Sequence, residues 1–450
     1  MMYKIKQLIK KLLPKWILHL YHWKLGVLAN LIYGFPSNKL VVIGVTGTNG
    51  KTSTVEMIAR LIEASGFKVG FTSTVKIKIA EQEFLNKSKM TMQGRFALQK
   101  FLKQMVKAGC KFAVVETSSQ GLEQFRHIGI NYDIAVFTNL TPEHVEAHGG
   151  FENYKKAKGR LFEHLTKKSR KTLWDRTWEK TAIVNLADEH AGYYLDFPAE
   201  KKYGFALGQV YDRAFLNKVD FAFISSKSAL TLQGGEFEFD GQDYQISLLG
   251  EFNIKNALAA LTVAKILHLD LEKVKNALAN MPVIPGRMEL INEGQDFTVL
   301  VDYAPEPASF EQLYKTIKLL PHNKIIHVFG SCGGGRDVAR RPILGRMAGE
   351  WADYCIVTNE DPYDDDPQEI IDQVAAGCVE KGKIENQNLF KILNRREALK
   401  KAMSLANAGD LVVMTGKGAE QAIMLANGTR EEWDEREEAR KALGIVLNNK

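Results

Sequence analysis

Cysteine is scarce and scattered. The 450-residue chain has four, Cys110, Cys332, Cys355 and Cys378, with no CxxC pair and no His/Cys ligand spacing. That argues against a disulfide framework or a zinc site and for a reducing, cytoplasmic compartment. Acidic residues are missing before Glu56, whereas Lys4, Lys6, Lys10, Lys11, Lys15, Lys24 and Lys39 all precede it. No reading module and no interleaving of basic with exposed aromatic residues is present, so nucleic acid is not an expected partner. An uninterrupted apolar span is also missing, because Trp16–Tyr33 carries His19, His22 and Lys24. The early lysines are spread through the segment, unlike the single basic region of a signal peptide. Internal repeats and low-complexity tracts are absent.

What is there is ordinary globular material, 45% hydrophobic and 25% charged with a net charge of +7, enough for two or three domains. Ile5, Leu8, Ile9, Leu12, Leu13, Trp16, Ile17 and Leu20 recur at helical spacing, with Pro14 a kink or restart. This basic amphipathic segment (1–38) is expected to pack on the body, with peripheral membrane contact through residues 1–36 as the second reading. Apolar runs at Leu40–Val45, Phe112–Glu116, Ile134–Thr138 and Ala182–Asn185 alternate with helical patterns, which predicts a parallel α/β sheet. Residues near 215–250 read as an antiparallel excursion. Pro282, Pro285 and Gly286 punctuate the chain, and the α/β pattern then restarts at Phe297–Asp302, Lys324–Gly330, Tyr354–Thr358 and Leu411–Thr415. The acidic run Glu431–Glu438 reads as a solvated helix face. The expected fold is α/β: a P-loop parallel-sheet central ATPase domain (39–285), then a smaller Rossmann-like C-terminal domain (286–450).

The strongest local signal is Gly47-Thr48-Asn49-Gly50-Lys51-Thr52, after a strand and opening a helix. Glycines let backbone N–H groups close around phosphate oxygens, and the helix N-terminus adds a favourable dipole. Lys51 would neutralise outer phosphates and Thr52 would offer its hydroxyl to Mg²⁺. Val45 stands where the strict GxxxxGK[ST] pattern has its first glycine. Glu116 ends a strand, where a carboxylate points into the crevice of a parallel sheet. Taken singly, Glu116 reads as a solvated strand end, His144 as structural and Lys158 as a surface lysine.

Taken in order, the motifs resemble the Mur ligase family, and within it the ligases that add the third residue of the peptidoglycan peptide. The matching segments are GTNGKT (47–52), ETSSQGLEQFR (116–126), FTNLTPEHVEAHG (137–149), YKKAKGRLF (154–162), GEFNIKNALAAL (250–261) and PGRME (285–289). VDYAPEP (301–307), GGGRDVARRP (333–342), EDPY (360–363) and GKGAE (416–420) continue the match. The resemblance implies ATP and two Mg²⁺ ions, with Thr52, Glu116, His144 and a carbamylated Lys158 as metal ligands. It places Asn256, Arg287 and Asp302 on the nucleotide. Thr91, Ser118, Gln124 and Arg126 fall on a muramyl-peptide acceptor, and Arg336, Asp361, Gly416 and Glu420 on the free amino acid. The implied reaction is ATP-dependent amide formation through an acyl phosphate, with Lys51, Glu116, His144 and Lys158 at its centre.

Departures bear on specificity. Fewer than fifty residues precede the loop, where the family carries a domain for the uridine nucleotide, so the acceptor's nucleotide end is open. Tyr363 stands where diaminopimelate-adding enzymes have an arginine, and Asp364, Asp365 and Asp366 follow it. That favours an amine-ended diamino acid such as lysine. Gln120, Pro305, Glu306 and Ala419 also depart from the family pattern. The other readings are a ligase for another carboxylate, such as a folate or an amino-acid polymer, and a catalytically silent nucleotide-binding partner.

Overall fold

The apolar run Val41–Thr46 (β1) is buried along its whole length, as a central strand covered on both faces must be. In this computed structural model, which describes residues 14–143, 145–336 and 338–448, β1 lies within a nine-stranded sheet. The other strands in chain order are β2 (Val69–Thr72), β3 (Lys76–Ile79), β4 (Gln82–Leu85), β5 (Phe112–Glu116), β6 (Ile134–Phe137), β7 (Thr181–Asn185), β8 (Lys201–Leu207) and β9 (Phe221–Ser225). Their spatial order is β9-β8-β7-β6-β1-β5-β2-β3-β4. Every neighbouring pair from β9 to β2 is parallel, and only the β2–β3–β4 excursion at one edge is antiparallel. Because β1 sits between β5 and β6, the loops after all three open at one end of the sheet, the usual ligand crevice.

Helices α1 (Lys15–Tyr33), α2 (Lys51–Ala64), α3 (Arg95–Lys107), α4 (Ser119–Glu123), α5 (Phe151–Leu165), α6 (Glu251–Ile266) and α7 (Leu271–Ala279) belong with this sheet. The antiparallel reading of 215–250 holds for β10 (Ser228–Thr231), β11 (Gly234–Phe239) and β12 (Gln242–Ile246). It fails for β9, which pairs parallel with β8 as the outermost strand of the main sheet. An edge strand with one partner is largely exposed, so its residue pattern does not tell it apart from a hairpin arm.

Pro14 is the N-cap of α1, so that helix starts at the proline and does not run through it. Residues Ile5 to Leu13 of the amphipathic pattern lie outside the described residues. The helix does pack on the body, through Gly26 against Ile128, His19 against Phe125 and Tyr33 beneath Lys103. Trp16 and Leu20, however, point away and are exposed. Among the described residues no helix is long and apolar enough to cross a membrane.

The chain divides into two compact units; Val283 onward, together with the segment 143–149, forms the second. Its sheet has strands β13 (Glu289–Ile291), β14 (Thr298–Val301), β15 (Ile325–Phe329), β16 (Tyr354–Thr358), β17 (Leu389–Ile392) and β18 (Leu411–Met414), in the order β13-β14-β18-β15-β16-β17. All pairs are parallel except β13 with β14. Helices α8 (Pro307–Ile317), α9 (Arg340–Trp351), α10 (Pro367–Glu380), α11 (Arg395–Leu405) and α12 (Glu435–Asn448) accompany it. Leu399 and Met403 of α11 and Leu443 of α12 close its core over Val328 and Val412.

The acidic run at 431–438 is not a solvated helix face. Arg430–Glu432 is a short strand, and Glu435 is fully buried 2.7 Å from the equally buried Arg395. A run of acids shows no counter-ion in sequence, and here the counter-ion lies on another helix.

Candidate active site

Gly47 and Gly50 take left-handed backbone conformations (φ 153° and 80°), and Gly50 caps the N-terminus of α2. Both are also sterically required. A Cβ on Gly47 would lie 1.9 Å from Thr138 Oγ1, and one on Gly50 2.2 Å from Asn256 Oδ1. The segment after β6 clamps the loop from beside. Thr48 N donates to Asn139 O (2.8 Å), Asn49 N to Asn139 Oδ1 (2.8 Å) and Thr138 Oγ1 to Asn49 O (2.7 Å). The hydroxyls of Thr48 and Tyr154 lie 3.1 Å apart. Lys51 Nζ folds back on the loop carbonyls, 3.0 Å from Gly47 O and 2.6 Å from Thr48 O. Its ammonium is thus held beside the helix N-terminus. Asn256, on α6, sits against this turn and accepts from Thr54 Oγ1 (3.3 Å).

Glu116, at the end of β5, is buried. Its carboxylate accepts from Thr52 Oγ1 (3.0 and 3.1 Å), from Thr74 N (2.6 Å) and from Thr74 Oγ1 (3.0 Å). One carboxylate and a threonine hydroxyl fit Mg²⁺, which takes one or two protein oxygens and fills its shell with phosphate and water. Among the described residues no group of three or more His, Cys, Asp or Glu side chains could hold a metal. His144 lies outside the described residues. Lys158 is on α5, 1% exposed, with Nζ 2.6 Å from Gly47 O and 4.3 Å from the centre of the Tyr154 ring. It lies under the phosphate loop, against the surface reading of a lone lysine.

The residues assigned to the acceptor adjoin this cluster. The hydroxyls of Thr74 and Thr91 are 3.1 Å apart, so Thr91 is one hydroxyl from Glu116. Ser118 caps α4 by accepting from Gly121 N (3.2 Å). Gln124 Oε1 accepts from Arg126 Nε (3.2 Å) and Nη2 (2.8 Å), and Arg126 also donates to Met92 O. Burial, and then the charge of Arg95, lower the Arg126 pKa to about 10. A half-buried guanidinium of this kind favours an anionic partner.

The second unit carries a different arrangement. Arg287 stacks over Tyr303 (4.4 Å), and Asp302 accepts from Met288 N and Ala304 N (2.8 Å each). Lys417 is fully buried and donates to Asp361 (3.0 Å), Glu420 (2.8 Å) and Ala422 O (2.8 Å). Burial opposes its charge, but Glu420 and Asp361 raise its pKa above the ordinary lysine value. Gly416 (φ 96°) passes so close to Glu360 that a Cβ would lie 2.4 Å from its carboxylate. Arg336 lies over the Tyr363 ring (4.9 Å).

The three acids after Tyr363 do not support the lysine argument. Asp364 accepts from Asn427 N (2.7 Å), Asp365 from Arg341 (3.2 Å), and Asp366 caps α10 by accepting from Gln368 N (2.9 Å). Each has a structural partner. Glu306 caps α8, accepting from Ala308 N and Ser309 N (2.9 Å each), which accounts for one departure from the family pattern.

Sequence reasoning passed over Thr74, Thr138, Asn139, Tyr154 and Lys417. The signal for Thr138, Asn139, Tyr154 and Lys417 was available, since all four stand inside the family motifs. Thr74 has no motif around it, and only the fold brings it to Glu116.

A glycine loop between a parallel strand and a helix, with a threonine hydroxyl and a carboxylate beside it, defines a nucleotide-binding α/β protein of the P-loop kind. Residues 45–264 match the Mur ligase middle domain and residues 286–418 the Mur ligase, glutamate ligase domain. The chain belongs to the Mur ligase family, whose members are ATP- and Mg²⁺-dependent ligases. It is 38% identical over 423 residues to a UDP-N-acetylmuramyl-tripeptide synthetase of Roseiflexus sp. (strain RS-1), covering 93% of this chain and 81% of that protein. It is 35% identical to a UDP-N-acetylmuramoyl-L-alanyl-D-glutamate–2,6-diaminopimelate ligase of Geobacillus kaustophilus, covering 93% and 82%. A solved diaminopimelate ligase superposes with a TM-score of 0.57 at 32% identity, over 91% of this chain and 79% of that one. The Mycobacterium tuberculosis folylpolyglutamate synthase shares the fold, with a TM-score of 0.64 at 18% identity over 88% and 92%.

Proposed function

We propose that this protein is an ADP-forming amide ligase that adds an amino acid, with a diamino acid as first candidate, to a muramyl-peptide precursor of peptidoglycan in the cytoplasm. The observation that carries the reading is the hydrogen-bonded line Thr52–Glu116–Thr74–Thr91, which joins the phosphate loop to the residues assigned to the acceptor. The activities for which the Roseiflexus and Geobacillus relatives are named support the substrate class.

In this reading Lys51 leaves the carbonyls of Gly47 and Thr48 for the outer phosphates of ATP. Backbone N–H groups of the loop and the start of α2 hold the inner ones. Thr52 and Glu116 would hold Mg²⁺, which would offset charge on the phosphoryl oxygens and the incoming carboxylate. His144 and Lys158 would serve a second ion, Lys158 as a carbamate formed with CO₂ and loss of a proton. Asn256, Arg287 and Asp302 orient the nucleotide. Thr91, Ser118, Gln124 and Arg126 place the acceptor carboxylate in line with the γ-phosphorus. Oxygen attack releases ADP and gives an acyl phosphate. The amine of the amino acid, held by Arg336, Asp361, Gly416 and Glu420, then displaces phosphate from the carbonyl and loses a proton. Alignment and charge neutralisation supply the rate, since no side chain bonds covalently to substrate.

The test is phosphate release from Mg-ATP with a UDP-linked muramyl dipeptide and a panel including lysine and diaminopimelate. Release that depends on both acceptor and amino acid is expected. No amino-acid-dependent release with any muramyl peptide would sink the reading.

A further inference from the structure

Helix α1 has two unlike sides. Its inner side is seated on the body, with Ala29 and Asn30 buried and Gly26 against Phe125 and Ile128. Its outer side leaves Trp16 67%, Tyr21 56%, Trp23 45%, Leu31 58% and Ile32 57% exposed. Two tryptophans and a tyrosine near one end of a fixed helix, followed by large aliphatic residues, leave apolar side chains along its outer half, uncovered by any of the described residues. Amphipathic aromatic rings of this kind settle at the level of lipid headgroups.

Charge selects the occupant. The first 39 residues hold seven lysines and no aspartate or glutamate, so the segment that carries this face is basic and of one sign in its sequence. A second copy joined by a two-fold axis would set this basic segment against another of the same sign, because both subunits present the same patch. An anionic bilayer surface attracts each lysine near it. Since no described helix is long and apolar enough to cross a membrane, the contact is with the surface.

We propose that α1 docks this protein on an anionic lipid surface, its aromatic face in the headgroup region and its lysines on the phosphates. The seating of α1 has a consequence for the proposed reaction. Phe125 and Ile128, on which it rests, flank Arg126, and Arg95 of α3 donates to Gln124 O (2.5 Å). The loop assigned to the acceptor is therefore the one the docked helix leans on.

The test is flotation of the full-length protein with phosphatidylcholine vesicles, with and without phosphatidylglycerol. Binding is expected only with phosphatidylglycerol, weakening as salt is raised. It should fall about tenfold or more in a Trp16→Ser/Trp23→Ser variant with an unchanged melting temperature. Absence of binding to the anionic vesicles, or equal binding by the double variant, overturns the proposal. So does sedimentation showing a dimer that the double variant dissolves. The readout needs no turnover, so it stands or falls separately from the ligase assay.

Discussion

The carboxyl ends of the two parallel sheets are built from different materials. In the larger unit the loop after β1 is shaped by backbone: left-handed glycines, amide and carbonyl contacts from 138–141, and one buried amine, Lys158, on the Gly47 carbonyl. In the smaller unit the equivalent edge is shaped by buried ions. Lys417 lies between Asp361 and Glu420, while Arg395 ties Glu435 to the carbonyls of Asn359 and Thr415. A backbone cradle carries little fixed charge of its own, which suits a polyphosphate that brings its charge with it. An ion network instead presets charge where a zwitterionic amino acid would bind, and removing one ion strands its partner in a low-dielectric interior.

The largest effect should fall on the ionic edge. Arg395→Met leaves Glu435 buried and unpaired, which costs about 3–5 kcal/mol. Urea unfolding should show the loss in the C-terminal unit, and adding Glu435→Leu should recover much of it. If Arg395→Met unfolds no earlier than the unmodified protein, the ions are not what holds this edge. Next comes Lys51→Ala, expected to lower ATP-dependent turnover by roughly 10²–10³-fold, with the urea midpoint unmoved. A comparable loss of stability would erase the contrast between the two edges.

Gly47→Ala should be smaller, about 1–3 kcal/mol of strain read as weaker ATP binding, because its Cβ would meet Thr138 Oγ1. Adding Thr138→Ala should return part of the affinity, and no return would place the strain elsewhere. The smallest effect, read only between pH 6.5 and 5, is a pH dependence. His327 is buried between Tyr314 Oη (2.6 Å) and Thr415 Oγ1 (3.0 Å), and burial followed by the charge of Arg395 lowers its pKa to about 3. The folded pKa lies below the unfolded one, so the unfolded state binds the proton first. The contribution is full above about pH 6.5 and is lost as pH falls toward 3, at roughly 1 kcal/mol per pH unit. In His327→Gln the fall in stability between pH 6.5 and 5 should be shallower; an identical slope would assign it to other groups, such as His127 and His164, whose pKa values burial also lowers.

The phosphate loop was legible because its constraint is local. Strand, glycines, Lys51, Thr52 and helix are contiguous, and each follows from backbone freedom or strand period. The β strands at 112–116 and 354–358 were legible for the same reason, as apolar runs between turns. Where partners are distant, reading residue by residue failed. Glu435 looked solvated because Arg395 is forty residues away. Asp364, Asp365 and Asp366 looked like free charge because Asn427, Arg341 and the start of α10 supply their partners only after folding. Edge strand β9 was misassigned because exposure hides which neighbour it pairs with.

The sequence by itself determined the family, the glycine turn and the alternation of strand and helix, since these rest on local sterics and apolar periodicity. Tertiary structure alone decided that Lys158 lies under Gly47, that Thr74 links Thr52 and Glu116 to Thr91, and that Trp16 and Trp23 face outward. Those facts depend on which loops meet at a sheet's end and which side of a helix finds a surface to cover it, and no local rule carries that information.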